Sequence, residues 1–250
     1  MLRSVKALYW FVLKLVYRLK ILSVHNIPVI INNFNRLTYP LQLISFLEKC
    51  GFRNIIILDN NSTYPPLLEY YKSCKHKVFQ EQRNYGHLAL WESGIYNRYK
   101  WNYFIYTDAD VVPSEACPVT FIEHFKNILD ADYYLDKVGF SIRIDDLPDS
   151  FALKAKIIEY EKNYWSKEYC PGVYKAPIDT TFALYKPFSS LKAGEIYTLE
   201  AVRVGFPYTI RHMPWYVDSK HLQAEELYYL ERANASSSVA KQNSGSEAVY

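Results

Sequence analysis

The stretch Tyr103-Phe-Ile-Tyr-Thr-Asp108-Ala-Asp110-Val-Val-Pro113 decides how the rest of the chain reads. An apolar, aromatic run of strand type ends in two aspartates spaced i and i+2, with a proline following. Residues two apart on a strand point to one side, and just past a strand end the backbone turns. Both carboxylates can then converge on a point outside the sheet. Two hard oxygen ligands at the carboxyl end of a buried strand suit Mg²⁺ or Mn²⁺ that also grips substrate phosphates. The same pair would serve equally to begin a turn or cap a helix near Pro113-Ser114-Glu115, because Asp-x-Asp alone is a common pattern.

The surrounding chain alternates strands and helices. Ile27-Pro-Val-Ile-Ile-Asn32 is a short β-branched run that ends in the polar Asn32, Asn33, Asn35 and Arg36. Pro40 to Cys50 has helical periodicity, and Gly51 follows as a helix C-cap should. Asn54-Ile-Ile-Ile-Leu-Asp59 is a second buried strand and runs into Asn60, Asn61 and Ser62. A helix over Pro65 to Cys74, a strand over Lys77 to Gln80, a polar loop Gln82 to His87 and a helix to about Tyr99 lead back to the opening stretch. Continuous apolar strands alternating with amphipathic helices predict a mainly parallel α/β sheet covered on both faces. Ligands of such sheets sit beyond the carboxyl ends of the strands, where all three polar clusters fall.

Beyond the aspartates the pattern loosens. Helices are expected over Thr120 to Leu129, Phe151 to Trp165 and Glu225 to Arg232. Strands are expected over Val138 to Ile144 and Ala176 to Tyr185, and a strand-like run over Phe206 to Tyr216. Residues 1–22 read as a basic amphipathic N-terminal helix, too short in its apolar part to span a bilayer. It would lie on an anionic membrane surface or pack on the domain. Residues 23–232 read as one body, a nucleotide-binding half at about 26–112 and an acceptor half at about 113–232. The Ser-, Ala- and Asn-rich segment 233–250 has nothing to bury and is expected to be disordered.

Composition narrows the function. A chain of 250 residues holds one large α/β domain or two small ones. Its 24 tyrosines bring many hydroxyls, which suits a cleft with many polar contacts. The net charge is +3, and residues 1–22 alone carry five positive charges and no acid, so the remainder is near −2. A nucleic-acid-binding body would be basic across its binding face. Cys50, Cys74, Cys117 and Cys170 lie far apart without zinc spacing. Reduced thiols and a cytoplasmic location, at most at the inner face of a membrane, are therefore expected.

These pieces in this order resemble a nucleotide-sugar glycosyltransferase of the GT-A fold, close to glycosyltransferase family 2, over roughly Ile27 to Trp215. The resemblance implies that Asn32, Asn35 and Arg36 border the nucleotide and that Asp59, with Asn60, contacts base or ribose. It also implies a segment such as Arg83-Asn84-Tyr-Gly86 before Gly94-Ile95, and a divalent metal held on the diphosphate by Asp108-Ala-Asp110. The Glu-Asp pair common in inverting members has no counterpart here.

A metal-dependent transfer from a nucleoside-diphosphate sugar, UDP-sugar first among them, to a glycan or lipid-linked hydroxyl follows as the expected function. Asp110 is the expected direct ligand of Mn²⁺ or Mg²⁺. Asp108 reaches ribose or metal, and His212 is a third ligand or else packs in the turn before Pro214. Arg211 could pair with phosphate in bidentate fashion. Asp179, in Pro-Ile-Asp-Thr-Thr, is the expected catalytic base of an inverting reaction, its pKa raised by partial desolvation, or else a structural acid bonding backbone amides. His87 and Arg83 are candidate diphosphate or sugar contacts near a helix start, and Trp165, Trp215 and Tyr216 could stack on an acceptor sugar. Asp145 and Asp146 read as a surface turn before Pro148. The competing readings are a non-catalytic protein that binds carbohydrate or nucleotide on the same fold, and a nucleotidyltransferase. The absence of glycine between Asn32 and Thr38 argues against the latter.

Overall fold

The computed structural model describes residues 12, 23–189 and 193–233. The helix expected over residues 1–22, Val12 apart, and all but the first residue of segment 233–250 lie outside the described residues.

The opening strands form where their β-branched runs lie: β1 (Val29–Asn33), β2 (Ile55–Asp59), β3 (Lys77–Gln80) and β4 (Phe104–Asp108). They pair in the order β3-β2-β1-β4, all parallel. On each strand alternate residues enter opposite cores. Val29, Ile31, Ile55, Ile57 and Ile105 pack on one face with Leu43, Leu47, Phe121 and Phe125. Ile30, Ile56, Leu58, Phe104 and Tyr106 pack on the other with Leu90, Trp91 and Tyr96. This two-sided burial is why the strands read as unbroken apolar runs rather than alternating ones. The first core is closed by helices α1 (Thr38–Lys49) and α3 (Phe121–Ala131), while α2 (Pro65–Ser73) buries Leu67.

The rest of the sheet mixes directions. After β5 (Val111–Pro113) come β6 (Lys137–Ile142), β7 (Glu168–Cys170), β8 (Val173–Lys175), β9 (Ala183–Tyr185) and the long β10 (Ala201–His212). Strand β9 enters antiparallel between β4 and β6, β10 runs parallel to β6, and β8, β7 and β5 attach antiparallel. Helix α4 (Lys154–Glu161) continues into a 3₁₀ turn to Trp165, and α5 (Ala224–Arg232) closes the described chain.

Some readings change in detail. The helix expected up to Tyr99 is two separate turns, Ala89–Glu92 and Tyr96–Tyr99, broken at Gly94, whose φ of +79° is unfavourable for other residues. Pro113-Ser114-Glu115 opens no helix, since Val111–Pro113 pairs with β10. Only Ala183–Tyr185 of the run from Ala176 is strand, and the preceding residues form a loop that carries Asp179. Gly139 makes that loop's path possible, because a side-chain carbon there would overlap the Phe182 carbonyl and crowd Ile178. The β7–β8 hairpin has no antecedent in the sequence reading. Among the described residues the four cysteines are free, and no helix is long and apolar enough to cross a membrane.

Candidate functional site

Strand order reverses at β1: β2 and β3 lie to one side, β4 to the other. Ligands of open α/β sheets bind beyond the strand ends at such a switch point. Here Asn32 and Asp108 are cross-strand partners at that position. A cleft of about 530 Å³ opens over them, with Asp110, Asp179, Glu161 and His212 on its walls.

One wall is built from amides. Asn60 Nδ2 donates to Asn32 Oδ1 at 2.7 Å and to the Gly86 carbonyl at 2.9 Å, while Asn60 Oδ1 accepts from the Tyr85 amide at 3.1 Å. Asn84 Oδ1 accepts from the Gly86 amide at 2.7 Å. These bonds fix the Arg83–His87 loop against the ends of β1 and β2. Two residues expected at the ligand lie behind this wall instead. Asn35, in left-handed conformation at φ +52°, caps the next segment by accepting from the Thr63 and Tyr64 amides at 2.7 and 3.0 Å. Asp59 accepts from the Ser62 amide at 3.0 Å and the Tyr71 hydroxyl at 2.8 Å, and burial raises its pKa against these bonds. Neither lines the cleft. Arg83 is exposed and stacks over Tyr85 at 4.4 Å, also outside the lining.

Arg36 is buried and lines the cleft. It ion-pairs with Glu226 of α5 and lies 3.9 Å from the centre of the Tyr229 ring. Its Nε and Nη2, both enclosed, have no hydrogen-bond partner among the described residues. Across the opening, His87 Nε2 bonds to the Tyr197 hydroxyl, and burial holds the imidazole below its ordinary pKa.

The two aspartates that end β4 differ in surroundings. Burial, and then the charges of Asp110 and Asp179, push Asp108 well above the usual carboxylate range, although Thr180 Oγ1 donates to it at 2.8 Å. Asp110 Oδ1 lies 3.7 Å from His212 Nε2. Burial holds the His212 imidazole below its ordinary pKa, Nδ1 has no partner among the described residues, and the ring packs on Trp215 at 4.7 Å. Among the described residues no three His, Cys, Asp or Glu side chains gather as a complete ligand set. The pieces fit a partial shell. A carboxylate with an imidazole Nε2 3.7 Å away suits a cation that takes its remaining ligands from phosphate and water.

The opposite wall carries buried charge. Asp179 faces solvent in the cleft. Burial pushes its pKa up, but the Thr181 amide (3.0 Å) and hydroxyl (2.8 Å) on Oδ1, with the Arg203 and Lys137 charges, hold it below the ordinary value. The expected upward shift is therefore corrected, because hydrogen bonds and nearby positive charge favour the ionised carboxylate. Lys137, fully buried on β6, donates to the carbonyls of Ile178 and, at 3.0 Å, Ile196, and burial lowers its pKa to about 8. It holds the backbone under Asp179.

Trp215 is buried and lines the cleft, whereas Trp165 packs against Tyr174 at 5.3 Å outside it. Arg211 is also outside. Its guanidinium is taken by Asp146 at 2.7 Å and Glu115 at 2.5 Å, and Tyr216 donates to Asp146 at 2.5 Å. The Asp146 turn is thus an anchor for Arg211, which leaves that residue no free face for phosphate. Sequence reasoning missed Glu161, Arg203, Tyr197, Glu226 and Tyr229, each brought in from a segment with no motif of its own. The one available signal was an ionisable residue inside an otherwise apolar periodicity, Arg203 within Ala201-Val-Arg-Val204.

No protein-family model matches the chain, and no curated protein matches it. Among solved structures it is similar to GalNAc-T7, in a crystal structure with UDP, GalNAc and Mn²⁺. That similarity has 14% identity and a TM-score of 0.46, covering 75% of this chain and 43% of that one. The chain thus spans less than half the length of that structure, and at this TM-score the likeness carries no argument.

Proposed function

We propose that the chain is a glycosyltransferase. It moves a sugar from a nucleoside-diphosphate sugar, UDP-sugars being the first to test, to a hydroxyl of a glycan or lipid-linked acceptor, and it uses Mn²⁺ or Mg²⁺. One observation carries the reading. Asp108 and Asp110 leave β4 where the strand order reverses, across a cleft from Asp179. The motif order that resembles GT-A enzymes supports the same reaction class.

Such a transfer has to neutralise a leaving diphosphate and take a proton from the acceptor. A divalent cation, when bound, neutralises the diphosphate. Asp110 and His212 would hold it, with Asp108 on the ribose or reaching the cation indirectly. Arg36, which lines the cleft, would turn its guanidinium charge toward phosphate oxygens. Asn32, Asn60 and Asn84 form the rigid rim for base and ribose. Asp179 takes the acceptor proton while the acceptor oxygen bonds the anomeric carbon and the bond to the diphosphate breaks, its electron pair leaving with the diphosphate. A low pKa makes Asp179 a weak but always available base, suited to an acceptor proton that is lost as the new bond forms. The basic helix expected over residues 1–22 would bring the protein to a membrane carrying lipid-linked acceptors.

The test is release of nucleoside diphosphate from a panel of sugar nucleotides with Mn²⁺. Asp179→Asn should slow transfer about 10²–10⁴-fold and leave nucleotide binding intact. Transfer at the wild-type rate in that variant would remove Asp179 from the chemistry.

A further inference from the structure

Beside Asp179 the cleft wall contains a charged pair that the transfer step does not use. Glu161, the last residue of α4, and Arg203, in β10, are 3% and 5% exposed, and both line the cleft. Arg203 Nη1 donates to Glu161 Oε2 at 3.0 Å, and its Nε donates to the Pro177 carbonyl at 2.8 Å, which ties the pair to the loop that carries Asp179. Among the described residues none donates to Glu161 Oε1, and that oxygen is not one of the enclosed polar atoms although the residue is almost wholly buried. Burial pushes this carboxyl up to about 7, with the Arg203 charge offsetting part and Asp179 adding to it. Near neutral pH it can both accept and donate a hydrogen bond.

Two tyrosines frame the pair. The Tyr164 ring lies 4.3 Å from the Arg203 guanidinium carbon, and the Tyr164 and Tyr160 hydroxyls are 2.6 Å apart. Both tyrosines line the cleft. A buried ion pair contributes little net stability, and apolar residues of the same volume would often serve the fold as well. An unpartnered carboxylate oxygen beside a guanidinium and flat aromatic surfaces has a natural complement. It is a ring with hydroxyls on its edge, to bond the charged groups, and C–H bonds on its face, to lie on the aromatics. A lipid chain would leave Glu161 Oε1 desolvated and unpaired, at a cost.

We propose that Glu161 and Arg203, framed by Tyr160 and Tyr164, bind the sugar ring that receives the transferred group, so that the acceptor is a pyranoside with adjacent free hydroxyls. This rests on the transferase reading above, and it assigns the acceptor contact to Glu161 and Arg203 in place of Trp165.

The experiment uses saturation-transfer NMR with a panel of methyl hexopyranosides on the full chain with UDP and Mn²⁺, alongside thermal shift with the same nucleotide and metal. Two variants are compared with wild type. Glu161→Gln keeps the shape, and the double variant Glu161→Met with Arg203→Met removes both charges so that neither is left unpaired in the core. At least one pyranoside should receive saturation from the wild-type protein. Both variants should weaken its binding about 10- to 100-fold while the UDP–Mn²⁺ thermal shift is kept. No saturation of any pyranoside by wild type, or wild-type binding by both variants, would overturn the proposal. Failure of the transferase reading shows separately, as loss of the nucleotide shift in wild type.

Discussion

The two walls of the cleft satisfy their polar groups in opposite ways. The wall at the ends of β1 and β2 is neutral. Asn32, Asn60 and Asn84 bond one another and nearby backbone, and the loop they fix needs no charge. The wall opposite is charged and expensive, with Lys137 buried among carbonyls, the Glu161–Arg203 pair, and Asp179 between them. Amide networks give a rigid shape at small cost when every member is paired. Buried charges add little net stability, and on the charged wall Glu161 and Arg203 line the cleft, whereas Asp59 lies behind the amide wall. The aspartates of β4 and Arg36 sit at the seam.

The largest effect expected from breaking this contrast is at the seam itself. Asp110→Ala should remove sugar-nucleotide turnover to below detection and leave urea stability near wild type, as read by diphosphate release and a denaturation curve. Retained turnover would detach Asp110 from the chemistry.

A smaller effect, on stability, separates a buried pair from an open one. Arg36→Met leaves Glu226 buried without its partner and should cost about 3–5 kcal/mol in urea unfolding. Arg211→Met breaks pairs that are about one-fifth exposed at Arg211, and should cost no more than about 1 kcal/mol. Equal costs would contradict the assignment of Arg36 as the interior member.

The smallest effect is a slope. The folded-state pKa of Lys137 is about 8 against an ordinary 10.5, so between those values the native state binds fewer protons than the unfolded chain. Stability contributed by this group therefore rises with pH across that window, by up to about 1.4 kcal/mol per pH unit. Subtracting the urea midpoints of Lys137→Met from those of wild type isolates it from the tyrosines that titrate higher. A flat difference would mean that Lys137 is not held in a carbonyl cage.

The neutral wall and Asp179 were legible in the sequence, and Lys137 and the Glu161–Arg203 pair were not, for a physical reason. Ile30, Ile56 and Tyr106 lie in unbroken apolar runs because both faces of those strands are covered, and each run ends in the polar residues of the site. Strand and site are then adjacent in the chain. Glu161 closes an unremarkable amphipathic helix, and its partner Arg203 lies 42 residues away, so neither advertises a cleft. Glu226 reaches Arg36 across 190 residues. Arg211-His212 read as a unit, yet consecutive strand residues face opposite sides. His212 therefore enters the cleft, while Arg211 turns to Asp146 and Glu115. For Asp179 the sign of the pKa shift depended on which donors its loop turned toward it, and Thr181 is only two residues on.

The proposed place of Asp110, at the switch point, is in a metal-dependent site for a nucleoside diphosphate. Melting temperatures with UDP, GDP or dTDP, each with and without Mn²⁺, test it on wild type and Asp110→Ala. A rise is expected for at least one nucleotide only when Mn²⁺ is present, corresponding to about 2.7 kcal/mol at a hundredfold excess over Kd, and lost in Asp110→Ala. No response of wild type to any of the nucleotides with metal, or an equal response in the variant, would contradict it.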